Sequence, residues 1–319
     1  RLWLRQRDHR CEQEAGGKHA RMLPAHAVAL LPSIAMHEDD PMRISPRSFT
    51  IGLLASALLA GCTTSPASSQ RNGADAAALQ AAVDAPQREA ANRARDVHRH
   101  PVETLAFFGV KPTDTVIEIS PSAGWYSEIL APYLRNGGSY VAATASAAPD
   151  SAGGKRNAAL QAKLAADPAR FGQPQWLEYD GKAPSLGAPA RADVVLTFRN
   201  VHNWVGGGTA DAYFKAFFDA LKPGGVLGVV DHRARPGTDL ETMKKSGYLT
   251  EALVTELASR AGFVLETRSE VNANPKDSAD YPNGVWTLPP TNRHDAADDA
   301  KYRAIGESDR MTLRFRKPR

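Results

Sequence analysis

Residues 115–126, TVIEISPSAGWY, decide the fold of this chain. The run starts with five mostly apolar residues that include one acid, Glu118, a pattern typical of a buried strand. Small residues follow at positions 120 and 122–124, and Ser122 can cap a helix that continues to Leu134. Small residues at such a turn let the backbone approach a ligand closely. The stretch therefore predicts a strand, a ligand-binding turn and a helix.

The rest of the sequence alternates apolar runs with helix-forming segments, which favours βαβ units and a mostly parallel sheet. Residues 272–308 are polar with little periodicity and are predicted to be loop with one short helix. The predicted strands span 115–119, 139–145, 175–179, 192–198, 226–230, 263–268 and 311–315. The predicted helices span 74–95 with a break at Pro86, 102–109, 122–134, 157–166, 209–221 and 250–261.

Composition excludes several classes of protein. The chain has 319 residues, and its 39 Lys and Arg exceed its 35 Asp and Glu by only four, so no nucleic-acid partner is predicted. Two cysteines, Cys11 and Cys62, exclude a disulfide scaffold and a multi-cysteine zinc site. No apolar run is long enough for a polytopic membrane protein.

The segment before the alternating region divides into three predicted parts. Residues 1–41 show no sustained periodicity and are predicted to be a non-native or disordered extension. Residues 42–61 combine a basic start with a short apolar run and end just before Cys62, like a lipoprotein signal peptide. The alternative is a buried helix with an incidental cysteine. We expect a lipid on Cys62, a tether over 62–73, one domain over 74–319, and a periplasm-facing location on a bacterial envelope membrane.

Ligands of parallel sheets bind beyond the carboxyl ends of the strands. The second strand ends near Thr144, without the acid that usually binds ribose hydroxyls, although Asp150 follows a few residues later. Thr144 can offer one hydroxyl hydrogen bond instead. Asp180 follows the third strand and is predicted either to contact a bound ligand or to form a turn.

The richest polar segment follows the fourth strand. His202 is a candidate general base, and Asn200 and Asn203 can orient a substrate or cofactor carboxylate. Trp204 and Trp125 can stack on a flat ring of a ligand or substrate, and an aromatic face also suits a cation. The alternative is that His202 is a structural residue and Trp204 a core anchor.

Further histidines are predicted near the same face. His232 with Asp231 is predicted to form a polar pair on the substrate side, and His100 to close over the cleft. No motif places three or four ligands at metal spacing, so no metal site is predicted.

Several separated motifs in one order resemble class I S-adenosylmethionine-dependent methyltransferases, and more closely a bacterial group of methyltransferases that are often lipoproteins. The resemblance covers about residues 95–319. The motifs that carry it are RHPVETLAFFG at 99–109, SPSAGWYSEILAPYL at 120–134, FRNVHNW at 198–204, LKPGG at 221–225, VDHR at 230–233 and LRFRKP at 313–318.

This resemblance implies an α/β fold, a Rossmann-like seven-stranded mostly parallel sheet with helices on both faces. It also implies S-adenosyl-L-methionine as cofactor and assigns Glu118 to the acid of the first motif. Asp180 matches the position at which many methyltransferases hold the adenine amino group, and Trp125 and Trp204 could stack on adenine or face the sulfonium. Family members usually carry more glycines at 122–123 than this chain does. The residues predicted to bind the cofactor are Glu118, Ser120, Ser122, Ala123, Gly124, Trp125, Thr144, Asp180 and Asn200.

The sequence leads to two hypotheses about function. The first is a methyltransferase for a small-molecule acceptor, with His202 and Asn200 catalytic and with His100, Asn203, Trp204 and His232 on the substrate side. The second is a catalytically inactive relative that binds a small ligand in the cell envelope. A short-chain reductase would need Lys four residues after a Tyr, which is absent here, and a nucleic-acid methyltransferase would need a basic face and usually an Asn/Asp-Pro-Pro-aromatic motif. The oligomeric state and the acceptor stay open.

Overall fold

The computed structural model describes residues 66–319, with side chains from residue 73 onward. The predictions for residues 1–61, for Cys62 and for residues 62–65 of the tether lie outside this part of the chain. Residues 66–73, which were predicted to be tether, instead form the first part of a helix that continues to Asp84. Within it, none of the helices has both the length and the apolar content that a bilayer crossing requires.

Seven strands form one sheet in the order β3-β2-β1-β4-β5-β7-β6. The pairs within β3-β2-β1-β4-β5 are parallel, and β7 runs antiparallel to both of its neighbours. The predicted seven-stranded, mostly parallel sheet is therefore confirmed. The strands are β1 (Thr115–Ile119), β2 (Ser139–Ala145), β3 (Gln175–Tyr179), β4 (Ala192–Phe198), β5 (Leu221–His232), β6 (Val264–Ser269) and β7 (Arg310–Arg316).

Helices cover both faces of the sheet, as predicted for a parallel sheet buried on both sides. Three further short segments are 3-10 turns, at 96–98, 284–287 and 296–298. The helices are α1 (Pro66–Asp84), α2 (Ala90–Arg93), α3 (Pro101–Phe108), α4 (Ser127–Leu134), α5 (Ala152–Ala165), α6 (Pro168–Phe171), α7 (Val201–Gly207), α8 (Ala210–Ala220), α9 (Leu240–Ser246), α10 (Glu251–Arg260) and α11 (Asp299–Ile305).

The alternation of side chains along β1 divides the core into two layers. Ile117 and Ile119 join a cluster with Phe214 and Phe217 of α8. Val116 points to the other face and joins a cluster that includes Leu130 of α4. Successive strand residues face opposite sides, so a continuous apolar run fills both layers at once.

Chain order places the ligand crevice at β1. From β1 the chain continues to β2 and β3 on one side, then returns to β4 on the other side of β1. The strand order reverses at this point, and open α/β sheets bind ligands outside the carboxyl ends of the strands there.

Three differences from the predicted elements have physical reasons. Helix α4 begins at Ser127 instead of 122, because residues 120–124 form a turn with positive φ angles. Helix α7 was not predicted, since its seven residues include two polar side chains and two glycines. Strand β5 begins at Leu221, because the LKPGG segment stays paired beside β4 through an irregular register near Ala192.

Candidate cofactor and substrate site

A cavity of about 580 Å³, the main cavity, lies at the carboxyl ends of β1, β2 and β4. Its volume is in the usual range for small-molecule and cofactor sites. Helix α5 and the segment around the 96–98 turn contribute the rest of its wall. The site predictions that line it are Glu118, Ser120, Ser122, Ala123, Trp125, Thr144, Asn200 and Asn203.

The turn after β1 follows a backbone path that usually belongs to glycine. Ser120, Ser122 and Gly124 have φ angles of 51°, 58° and 83°, all in the left-handed region. A side chain in this region costs about 1–2 kcal/mol per residue. Gly124 cannot take one easily, because a Cβ there would lie 2.4 Å from Leu160 Cδ1. The turn thus keeps its shape with serines at two of three left-handed positions.

Glu118 supports this turn from below. Its carboxylate accepts hydrogen bonds from Tyr140 Oη at 2.6 Å and from Ser127 Oγ at 3.1 Å. Burial raises the pKa of Glu118 to about 7, although both hydrogen bonds oppose the shift. Glu118 therefore connects β1 to β2 and to the first residue of α4, while it also lines the main cavity.

The end of β2 supplies a hydroxyl and a cation where an acid is usual. Thr144 is buried, and its Oγ1 has no hydrogen-bond partner among the described residues. Arg156 of α5 lines the same part of the main cavity, whereas Asp150 is exposed and does not line it. The wall of the main cavity thus includes Thr144 and Arg156, whereas Asp150 does not contribute to it.

Three arginines share one carboxylate next to the main cavity. Glu307 pairs with Arg95 at 2.6 Å, with Arg99 at 3.3 Å and with Arg310. Burial would raise the pKa of Glu307, but Arg310, Arg99 and Arg95 outweigh it and hold the pKa far below its usual value. The cluster keeps a positive charge, and Nη2 of both Arg95 and Arg99 is buried without a partner among the described residues.

The end of β4 joins the two central strands. Asn200 Nδ2 donates to the Ile119 carbonyl at 3.0 Å and to Thr197 Oγ1 at 3.3 Å. Arg199 before it has a φ angle of 60°. This backbone turn lets Arg199 line the main cavity and also a second, smaller cavity.

His202 and Asp231 form a buried pair beside that second cavity. His202 Nδ1 lies 2.9 Å from Asp231 Oδ1, and the His202 backbone N–H donates to Asp231 Oδ2 at 3.3 Å. His232 donates its backbone N–H to Asp231 at 2.8 Å, and its Nδ1 lies 2.6 Å from Ser308 Oγ. Asp231 thus holds one ring nitrogen of His202 and leaves Nε2 for a ligand.

Ligand atoms of His202, Asp231 and His232 lie within 4.8 Å of one another, a grouping that could hold a metal ion. The sequence did not bring these three together as ligands. However, both Asp231 oxygens already accept hydrogen bonds, and the cationic Arg199 lines the same cavity. We therefore interpret the group as a hydrogen-bonded pair with a neighbouring histidine.

The second cavity, the small cavity, has a volume of about 140 Å³. Its wall combines Arg199, His202 and His232 with the apolar surfaces of Val285 and Trp286 and of the prolines that follow. Arg199 is common to both cavities. The predicted substrate-side position of His232 and the predicted base His202 therefore share one wall.

Four predicted site residues line neither cavity, and one of them, Gly124, lies within the turn after β1. Trp204 is a core residue that stacks on Tyr213 with ring centroids 4.0 Å apart, because α7 turns it toward α8. Asp180 is exposed and accepts from the Lys182 backbone at 2.8 Å, so it forms a turn. His100 precedes α3 with a φ angle of 41° and lines neither cavity.

Sequence reasoning missed the cationic part of the site. Arg95 and Arg99 lie four residues apart before α3, and Arg199 follows β4 directly. Their spacing is a weak signal, because their shared partner Glu307 is more than 200 residues away in the chain. Ser308, the partner of His232, was missed for the same reason.

No family model matches the sequence, and no curated protein matches it. Solved structures that are similar include an S-adenosylmethionine-dependent methyltransferase from Aquifex aeolicus, with 14% identity over 76% of this chain and 98% of that chain and a TM-score of 0.46. Another such enzyme, from Mesorhizobium loti, has 15% identity, 67% and 96% coverage and a TM-score of 0.42. The cyclase SpnF has 14% identity, 78% and 95% coverage and a TM-score of 0.47. The function proposed below therefore rests on the residues of the site.

Proposed function

We propose that this protein is an S-adenosylmethionine-dependent methyltransferase that acts on a small molecule. The observation that carries the proposal is the junction of the two cavities. A cavity of cofactor size at the switch point of the sheet adjoins a smaller cavity that contains the His202–Asp231 pair, and Arg199 lines both. Methyl transfer needs this division, since a cofactor and an acceptor must meet with a base near the acceptor.

The unpartnered polar atoms of the main cavity fit S-adenosylmethionine. The free Nη2 atoms of Arg95 and Arg99 can bind its carboxylate, and the free Thr144 Oγ1 can bind a ribose hydroxyl. The 120–124 turn brings backbone close to the ligand, and Trp125 supplies an aromatic surface. Each of these groups lacks a protein partner or faces the cavity, as a binding group should.

When bound, the cofactor supplies a methyl group on a sulfonium, whose carbon–sulfur bonding electrons stay on sulfur as the methyl group leaves. His202 is the group of this chain that can take the acceptor's proton, at Nε2. Asp231 fixes the other ring nitrogen and stabilises the ring when it becomes charged. Asn200 holds the ends of β1 and β4 together, so that both cavities keep their relative position.

Calorimetric titration of the full chain with S-adenosylhomocysteine and S-adenosylmethionine tests the proposal. We expect both to bind. S-adenosylhomocysteine, which has no sulfonium charge, should bind more tightly, because the residues that line the main cavity include four arginines and one acid, Glu118. The arginines are Arg95, Arg99, Arg156 and Arg199.

A pair of matched variants makes this titration specific. Thr144→Val should weaken binding about fivefold through one lost hydrogen bond, whereas Thr113→Val, at the amino end of β1, should not. Absence of binding by a folded protein, or equal effects of the two variants, would contradict the proposal.

We also propose that Cys62 carries a lipid that anchors the domain in a bacterial envelope membrane, facing the periplasm. Cys62 lies outside the described residues, so the proposal rests on the signal-like pattern before it. Expression in bacteria with a labelled fatty acid should label the wild type and Cys11→Ser but not Cys62→Ser. Label retained in Cys62→Ser would exclude this anchor.

A further inference from the structure

The small cavity limits the size of what it can hold. Its volume is about 140 Å³. An engineered protein cavity of about 150 Å³ accommodates benzene. Trp286 and Val285 provide apolar surface on one part of the wall, and polar side chains form another. A ligand of about one ring, with an apolar body and polar substituents, matches this cavity.

Charge at Arg199 limits the ligand further. Among the described residues no carboxylate forms an ion pair with Arg199, and the nearby Glu307 is already shared by Arg95, Arg99 and Arg310. Burial, together with the positive charges of Arg99 and Arg310, lowers the pKa of Arg199 to about 9. Arg199 is therefore still cationic at neutral pH but lacks a counter-ion, so an anionic group beside it would be stabilised.

Two histidines, His202 and His232, make part of the small cavity wall polar, and His232 is uncharged. Burial lowers the pKa of His232 well below its usual value, and His202 contributes to the shift. His232 is thus neutral, and its Nδ1 is occupied by Ser308. No protein group in the described part of the chain bonds to Nε2 of His202 or His232, so both atoms can receive a ligand's polar group.

We propose that the methyl acceptor is a small anionic molecule of about one ring, bound in the small cavity with its negative group on Arg199 and its reacting O–H or N–H group at His202 Nε2. This inference rests on the proposed methyltransferase function. The acceptor's oxygen or nitrogen forms a bond to the methyl carbon with its lone pair, its proton passes to His202 Nε2, and the carbon–sulfur electrons stay on sulfur.

The net charges favour this class of acceptor. S-adenosylmethionine brings a sulfonium and an ammonium against one carboxylate, so it does not neutralise the arginines that surround it. A monoanionic acceptor offsets one of these charges at the junction of the cavities. A cationic acceptor would add to the repulsion, because Arg199 lies at that junction.

Single-ring probes test the inference on the full chain, with and without saturating S-adenosylhomocysteine. Benzoate is the anionic probe, benzamide its neutral counterpart and benzylamine the cation. We expect benzoate to bind at least about tenfold more tightly than benzamide, benzylamine not to bind, and benzoate not to compete with S-adenosylhomocysteine.

Substitutions locate the anion site. Arg199→Gln should weaken benzoate binding about tenfold, and Arg199→Lys should restore part of it. Arg235→Gln makes the same charge change at an exposed residue outside both cavities and should leave benzoate binding unchanged. Thermal unfolding of each variant confirms that the binding data come from folded protein.

Four results would overturn the inference: equal binding of benzoate and benzamide, equal effects of the Arg199 and Arg235 variants, competition between benzoate and S-adenosylhomocysteine, or benzoate binding that requires a divalent cation. Loss of S-adenosylhomocysteine binding itself would instead overturn the proposed function. The two failures are therefore separate observations.

Discussion

The main cavity and the small cavity meet at Arg199, but the chain builds them in different ways. The main cavity depends largely on backbone: the left-handed turn at 120–124 and the ends of three parallel strands. The small cavity depends on side-chain hydrogen bonds that join His202, Asp231, His232 and Ser308. The 120–124 turn keeps its left-handed path with serine at two positions, whereas no other side chain among the described residues bonds to the His202 ring in place of Asp231. We therefore expect point substitutions to affect chemistry more than cofactor binding.

The largest effect is expected at Asp231. Asp231→Asn keeps the shape of the residue but loses the charge that orients and stabilises the His202 ring. Methyl transfer to a single-ring acceptor should slow about 10³-fold, while S-adenosylhomocysteine affinity changes less than about threefold. Rates come from S-adenosylhomocysteine release and affinities from calorimetry. Asp219→Asn, at a surface ion pair, is the control. Equal losses of methyl-transfer rate and of S-adenosylhomocysteine affinity would contradict the assignment of separate roles to the two cavities.

Glu118 should make the stability of the fold depend on pH. Its pKa in the fold is raised from 4.5 to about 7, so the protonated form is the stable one. The stabilisation is complete below about pH 4.5 and is lost as the pH rises through about 7, with a total of about 3 kcal/mol. The Glu118→Gln variant has no titrating carboxyl group here, so it lacks this pH-dependent stabilisation. Chemical denaturation of both proteins from about pH 4 to about pH 9 should therefore give diverging free energies of unfolding, and parallel curves would refute the assignment.

Gly124 tests the backbone origin of the main cavity. Gly124→Ala adds a Cβ 2.4 Å from Leu160 Cδ1 at a φ angle of 83°, so stability should fall by about 2 kcal/mol. The control is Gly206→Ala in α7. A Cβ added at Gly206 would have no neighbouring heavy atom within 4 Å, so this substitution should leave stability unchanged or raise it slightly. Denaturation midpoints compare the two. Equal midpoints would mean that the 120–124 turn is not constrained.

Ser122 should give the smallest change and in the opposite direction. Ser122→Gly removes a left-handed serine whose side chain faces the main cavity. Relief of the left-handed strain stabilises the fold, but the greater conformational freedom of glycine in the unfolded chain partly offsets this effect. Stability should therefore change by less than about 1 kcal/mol. S-adenosylhomocysteine affinity should rise about threefold. A decrease would show that the serine hydroxyl itself binds the ligand.

The central strands β1 and β4 were predictable because they are buried on both faces. The apolar runs at 115–119 and 192–198 cannot form amphipathic helices of that length, and the structure places β1 and β4 at these bounds. The turn after β1 was predicted from its small residues. Its left-handed φ angles, and so the late start of α4 at Ser127, were not, because serine rarely adopts them.

The candidate site was predictable where it follows strand ends and not where it depends on distant contacts. Glu118, Thr144 and Asn200 line the main cavity because each ends or follows a parallel strand. Trp204 was misplaced, since nothing local shows that α7 turns it onto Tyr213. The arginine cluster needs Glu307, and the His202–Asp231 pair needs β4 beside β5, so both depend on tertiary structure.

The most direct test of methyl transfer uses S-adenosylmethionine with an isotopically labelled methyl group. The full chain and the Asp231→Asn variant are each incubated with it and with an extract of anionic small molecules, and the products are compared by mass spectrometry. We predict a product heavier by one labelled methyl group with the wild type and almost none with the variant. No labelled product from the wild type in the presence of bound cofactor, or equal labelling by both proteins, would contradict the account.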